Sequence, residues 1–208
     1  MSAPLSDILR PASIDDMVGQ AHLIGKGKLL RNIIDSGTLP NMIFYGPSGV
    51  GKTTLAKILA SSSNKKLFKL NATTASTADI KDIIAQIDTF TAPNGILLYL
   101  DEIQYFSKKQ QQTILEFIEN GKITLIASTT ENPSFYIYNA ILSRSTIFEF
   151  KLVGVEEIKK ALVRVVGFIE KSEGITVSIA DEVLAYIATL AAGDKLFGAL
   201  QFIFTFRK

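Results

Sequence analysis

The chain has 208 residues, 47% of them hydrophobic and 20% charged, with a formal net charge of +2. A chain of this size buries a sizeable core without staples, and so small a net charge gives no overall electrostatic argument for nucleic acid, which would need a local patch. With no cysteine and one histidine, His22, disulfides, thiolate zinc sites and multi-histidine metal centres are excluded.

Asn41-Met-Ile-Phe-Tyr45 is a short apolar run ending at glycine and predicts a buried strand. A helix follows from Gly51 to about Ser61, with Leu55, Ile58 and Leu59 on one side. Leu67 to Leu70 predicts a second strand, and Asp79 to Phe90 a helix with Ile80, Ile83, Ile84 and Ile87 at helical spacing. Ile96 to Leu100 is a third strand, which runs into Asp101-Glu102. Ser107 is an N-cap for a helix carrying Ile114, Phe117 and Ile118. Lys122 to Ser128 and Thr146 to Phe150 complete five strands.

Strands alternating with helices imply a parallel sheet covered on both faces. Beyond Lys151 only helices are expected, from about Val155 to Glu170, from about Ile179 to Leu190, and in a segment from about Asp194. The predicted division is therefore an α/β nucleotide-binding core over 1–151 and a small all-helical lid over 152–208. Phenylalanines crowd the last segment at 197, 202, 204 and 206, so it needs a packing partner. No apolar run approaches the ~18 residues that span a bilayer. The N-terminus has no basic start and apolar stretch of a signal peptide. A soluble cytoplasmic protein with no membrane contact is the expectation.

Gly46, Pro47, Ser48, Gly49, Val50, Gly51, Lys52 and Thr53 fit the phosphate-binding P-loop (Walker A) pattern, G-x-x-x-x-G-K-[ST], and Thr54 follows in the same turn. The context is right, since a strand precedes the loop and a helix follows. The glycines let the backbone turn tightly and aim its N–H groups inward. The helix N-terminus adds partial positive charge. Lys52 can reach the β- and γ-phosphates of ATP, and the Thr53 hydroxyl can ligate Mg²⁺.

Asp101-Glu102 supplies the second half. Alone, an acidic pair after an apolar strand is a solvated turn. In an open parallel sheet, however, ligands bind at the carboxyl ends of strands. There Asp101 can hold the magnesium shell and Glu102 can activate a water.

Leu9-Arg-Pro11 followed by Asp15-Asp-Met-Val-Gly-Gln20 resembles the segment that wraps adenine in clamp-loader-like AAA+ proteins. Thr129-Thr-Glu-Asn-Pro-Ser-Phe135, with Leu142-Ser-Arg144 soon after, is similar to the replication-associated recombination protein A family and its eukaryotic relative, Werner helicase-interacting protein. Ile103-Gln-Tyr-Phe-Ser-Lys-Lys-Gln-Gln-Gln112 fits the same family. The resemblance covers about residues 5 to 150 well and the rest loosely.

It implies an ATPase acting with Mg²⁺ on forked or single-stranded DNA in replication-fork repair and recombination. Single-strand-binding protein is an implied partner, and a nucleoid location is implied in a bacterium. Thr129 falls where the family carries a γ-phosphate sensor, with Thr130 the alternative. Arg144 matches an arginine finger that acts on a neighbouring subunit of a homo-oligomer. Arg10, Val18 and Gly19 match the adenine side. A clamp-loader subunit, a Holliday-junction motor and a nucleotide-dependent scaffold are the alternative readings.

One position departs from the family. Gly193-Asp-Lys-Leu196 stands where the family reads Gly-Asp-x-Arg, so a phosphate-sensing arginine is replaced by leucine, with Lys195 one position away. The family's further C-terminal region, which includes its tetramer-forming part, has no counterpart, and a C-terminally shortened chain is implied.

Overall fold

Five strands form one parallel sheet in the order β2-β3-β4-β1-β5, the most apolar and buried of them at its centre and the mixed KLFKLN and STIFE strands at its edges. They are β1 (Asn41–Tyr45), β2 (Lys66–Asn71), β3 (Ile96–Asp101), β4 (Ile123–Thr129) and β5 (Ser145–Glu149). The structure is a computed structural model, and it describes residues 10–87, 92 and 94–191. Every residue of β4 is buried, as are Ile96 to Leu100 of β3. Successive strand residues face opposite ways, so both faces of the sheet are covered.

The expected α/β fold with a helical lid is what the structure shows. Helix α1 (Leu29–Ser36) precedes β1, and α2 (Lys52–Ser62), α3 (Thr77–Ile84) and α4 (Lys108–Glu119) lie between successive strands. Two single turns, α5 (Pro133–Tyr136) and α6 (Asn139–Leu142), link β4 to β5. Helices α7 (Val155–Glu173) and α8 (Asp181–Ala191) follow.

Local chemistry sets the helix ends. Ser107 and Gln110 form a reciprocal capping box at α4, as do Ser76 and Asp79 at α3. That box starts α3 two residues before the expected Asp79. The helix ends at Ile84, while Ile87 still packs against the core from the turn beyond. Apolar spacing thus outlasts the helix, and the expected end at Phe90 lies outside the described residues. Strand β5 ends at Glu149, but the Phe150 N–H still donates to Tyr45 O at 2.7 Å. Helix α7 runs past the expected Glu170 to the left-handed Gly174.

Two compact units emerge. One contains residues 22–46 and 52–150, that is, the sheet and its helices. The other joins the described residues 10–21, 47–51 and 151–191. Linear reading places a boundary at 151/152 but does not anticipate that the N-terminal segment and the loop 47–51 group with the helices beyond it. In this second unit, Val153, Ile158, Leu162 and Val165 pack with Leu184, Ile187 and Ala188, and Val18 joins them. The segment from Gly193, including Lys195, Leu196 and the phenylalanine-rich end, lies outside the described residues.

Candidate active site

The loop after β1 is forced by sterics. Gly46 has φ 139°, Gly49 73° and Gly51 101°, values that side-chain-bearing residues rarely adopt. At Gly46 a Cβ would sit 2.2 Å from the Phe150 carbonyl oxygen. The Gly46 N–H donates to Thr129 O at 3.2 Å. Pro47, Ser48 and Gly49 are exposed, and Val50 is buried. Helix α2 then opens at Lys52, which is buried and donates from Nζ to Gly46 O at 2.6 Å. Thr54 points inward and is 5% exposed.

In the sheet unit, Thr53 and Asp101 meet through a residue to which sequence reading assigned no role. The Tyr99 hydroxyl lies 2.9 Å from Thr53 Oγ1, 2.9 Å from Ser128 Oγ and 3.1 Å from Asp101 Oδ1. Ser128 Oγ also donates to Asp101 Oδ1. Burial pushes the Tyr99 phenol far above its ordinary pKa, and the neighbouring Asp101 carboxylate adds to the shift. The phenol therefore stays neutral and can donate. The one available signal was a lone phenol inside the aliphatic strand Ile96-Leu-Leu-Tyr-Leu100.

Glu102 follows with φ 56° and ψ 48°, a left-handed conformation costing a non-glycine residue about 1–3 kcal/mol. That turn swings its side chain away from the strand path. Its Oε2 accepts from Gln104 Nε2 and, at 3.4 Å, from the Thr130 hydroxyl. Gln104 Nε2 also donates to Thr130 Oγ1 at 3.3 Å. The Thr129 hydroxyl is fully buried and turned to its own chain, 3.0 Å from Glu131 N and 3.3 Å from Glu131 O. The geometry thus puts Thr130, the alternative sensor, beside the acid.

Arg144 stands elsewhere. It precedes β5, whose Ser145 pairs with Asn41 at the start of β1, so it lies at the amino edge of the sheet. Asp101 and Glu102 lie at the carboxyl edge. The Arg144 guanidinium pairs with Glu119 at 2.7 Å and donates to Ala140 O at 2.9 Å.

In the second unit, Gln20 ties three stretches together. Its side chain donates to Lys151 O at 2.6 Å and to Val50 O at 3.4 Å, and it accepts from Lys151 N at 3.0 Å. A Cβ on Gly51 would come 3.2 Å from Met17 Cε. Gly19, at φ 76°, lies under Val153, whose methyls a Cβ would meet at 3.1 and 3.2 Å. Beside this clasp is a cavity of about 410 Å³ lined by Met17, Val18, Gly19, Ala21, Glu157, Lys160, Ala161 and Arg164. That volume suits a small-molecule moiety such as a base. Arg10 is half-buried in the same unit. His22, given no catalytic role, contacts the Glu149 carbonyl at 2.9 Å.

Among the described residues no cluster of three or more histidines or carboxylates could hold a metal alone. The donor set present, one hydroxyl and one carboxylate joined through Tyr99, fits Mg²⁺, which binds through one or two carboxylates and takes its remaining ligands from phosphate and water. Among the described residues no helix is long and apolar enough to cross a membrane.

Residues 42–152 match the family model for the ATPase family associated with various cellular activities (AAA). The chain is 38% identical over 193 residues to replication-associated recombination protein A of Haemophilus influenzae, covering 92% of this chain and 43% of that protein. It is 36% identical over 195 residues to the protein of that name from Escherichia coli strain K12, again covering 92% and 43%. The chain thus spans less than half the length of these curated relatives. Among solved structures, the Thermotoga maritima RuvB Holliday junction branch migration motor superposes with a TM-score of 0.70 at 27% identity, over 86% of this chain and 59% of that one.

Proposed function

The chain belongs to the AAA family of ATPases, and from that membership we propose that it binds ATP with Mg²⁺ and hydrolyses it to ADP and phosphate. The observation that carries this reading is the Tyr99 hydroxyl joining Thr53 to Asp101. Two oxygens of the residue types that hold magnesium are thereby brought to one place at the carboxyl edge of the sheet.

In this reading the N–H groups of residues 47–51 and the Lys52 ammonium hold phosphate oxygens. Thr53 and Asp101 would hold the magnesium, which would supply positive charge to offset that of the phosphates. Glu102 orients a water and takes its proton as the oxygen attacks phosphorus in line. Gln104 and Thr130 keep that carboxylate aimed, and Thr130, in preference to Thr129, senses the γ-phosphate. Val18 and Gly19 contact the base from the cavity they line, with Arg10 on the same side. Such a site works by positioning and electrostatics.

Arg144 acts on a second copy of the chain. Asp101 and Glu102 of the same chain lie at the other edge of the sheet, which favours a neighbour as its target. Relatives named for replication-associated recombination support DNA as what hydrolysis is coupled to, and the family resemblance of the sequence adds replication forks and single-strand-binding protein to the proposal. Steady-state ATPase with and without forked and single-stranded DNA tests this. Stimulation is expected, together with loss of nucleotide binding in Lys52→Ala. Unchanged nucleotide affinity in that variant would remove the assignment.

A further inference from the structure

We propose that the open cleft between the start of α4 and the α5–α6 turns is a contact site for single-stranded nucleic acid. The cleft has a volume of about 310 Å³, and Lys108, Gln111, Phe135, Tyr136, Tyr138 and Asn139 are among its lining residues. This proposal rests on the DNA part of the reading above and gives it a surface.

Three rings stand out into solvent. Phe135 is 81% exposed, Tyr105 64% and Tyr136 48%. Tyr105 belongs to the turn 103–105, which lies against α5. Isolated exposed rings need no explanation, but Phe135 and Tyr136 line one cleft, Tyr105 stands on a turn that contacts α5, and a fourth ring lines the cleft with them. The fourth is Tyr138, whose ring has Lys108 Nζ 5.0 Å from its centroid.

The rings are held on a rigid frame. Gln111 is 2% exposed and donates to Phe106 O at 3.1 Å and to Tyr136 O at 3.0 Å. Its Oε1 accepts from Tyr138 N at 2.8 Å. The Asn132 side chain caps α5 by accepting from Ser134 N at 3.0 Å, Pro133 opens the turn, and Ile137 is buried beneath it. Displayed from a fixed backbone, the rings lose little entropy on binding.

Charge selects the occupant. Lys108 and Lys109 are exposed at the head of α4, and among the described residues no carboxylate lines the cleft. The surface therefore suits a ligand that is anionic and also presents flat apolar faces. Unpaired nucleotides have both properties, whereas a duplex hides its base faces in the stack. Ser134 and Asn139, both exposed, add hydroxyl and amide groups that contact any base without choosing among them.

The test is anisotropy of labelled oligo(dT) with the wild-type chain, Phe135→Ala/Tyr136→Ala, Lys108→Ala and Phe135→Trp. Stacking on one ring is worth about fivefold or more in affinity, so the double variant is expected to lose at least about tenfold. Lys108→Ala should weaken binding and flatten its salt dependence. Phe135→Trp should bind like the wild type. Nucleotide affinity should be the same in all four. Full affinity in the double variant, with the wild type binding, overturns this site and leaves the DNA reading standing. Binding of forked duplex but not oligo(dT) overturns the single-strand assignment. No binding of any DNA overturns both. A change in sedimentation at constant DNA affinity makes the cleft an interface between subunits and likewise overturns it.

Discussion

The Tyr99 hydroxyl lies 2.9 Å from Thr53 Oγ1, so a phenol buried in β3 reaches the first turn of the helix after the phosphate loop. The same oxygen is 3.1 Å from Asp101. With the phenol donating to Asp101, Thr53 can give its hydrogen to Tyr99 and keep its lone pairs for a metal.

Tyr99→Phe removes that relay without opening a cavity. The Mg²⁺ concentration needed for half-maximal ATP binding should rise several-fold, while Mg²⁺-free ADP binding stays constant. Stability should fall by about 1–3 kcal/mol, because Thr53 and Ser128 lose a buried partner. Magnesium titration of a fluorescent nucleotide and urea unfolding read the two effects. An unchanged magnesium requirement would remove Tyr99 from the site.

Glu102→Gln keeps the shape and hydrogen-bond reach of the side chain but not its basicity. ATP hydrolysis should drop by about 10²- to 10⁴-fold, the range for loss of a positioned base. Affinity for ATP should be retained or increased. A steady-state rate equal to the wild type's would make the chain a nucleotide-dependent scaffold instead.

Gly46→Ala combines a left-handed φ with a 2.2 Å clash against a backbone carbonyl, which cannot rotate away. The loop and the end of β5 must move apart. A loss of at least about 3 kcal/mol is expected, in the range of strained-backbone and overpacking changes. Chemical denaturation measures it, and Gly37→Ala, where no atom lies within 4 Å, is the control for φ alone.

Mixing Arg144→Ala chains with Lys52→Ala chains should restore part of the lost ATPase. Where the phosphate site of an Arg144→Ala chain meets the finger of a Lys52→Ala chain, both are intact, and a finger supplied in trans is worth roughly 10³–10⁵ in rate. The readout is ATPase against mixing ratio, with subunit exchange checked by labelled chains. No restoration in exchanging mixtures counts against the trans role.

Backbone and side-chain hydrogen bonds from Ser76 hold the Asp79 carboxyl below its ordinary value. A depressed carboxyl contributes its stability above the ordinary carboxylate range, and the contribution disappears as pH falls through the lowered value. Acid should therefore fray the start of α3. Asp79→Asn should remove that pH dependence, which amide exchange at Ile80 and Lys81 would follow between neutral and acid pH.

The elements with short-range causes were legible in the amino-acid order. Strands β1, β3 and β4 centre on apolar runs, α4 begins at its capping serine, and the phosphate loop is a local glycine pattern. Each of these needs only neighbours in the chain. What tertiary structure decided was which distant groups meet. Tyr99 reaches Ser128 because β3 and β4 pair in parallel with Tyr99 opposite Ile126, two residues before Ser128 on the same face, and Thr130 rather than Thr129 reaches Glu102 because the left-handed turn at Glu102 redirects its carboxylate. Gln20 finds Lys151 across the length of the chain, and Gln111 finds residues 136–138. Hydrogen bonds between residues so far apart depend on strand order and turn geometry, and no periodicity along the sequence encodes them.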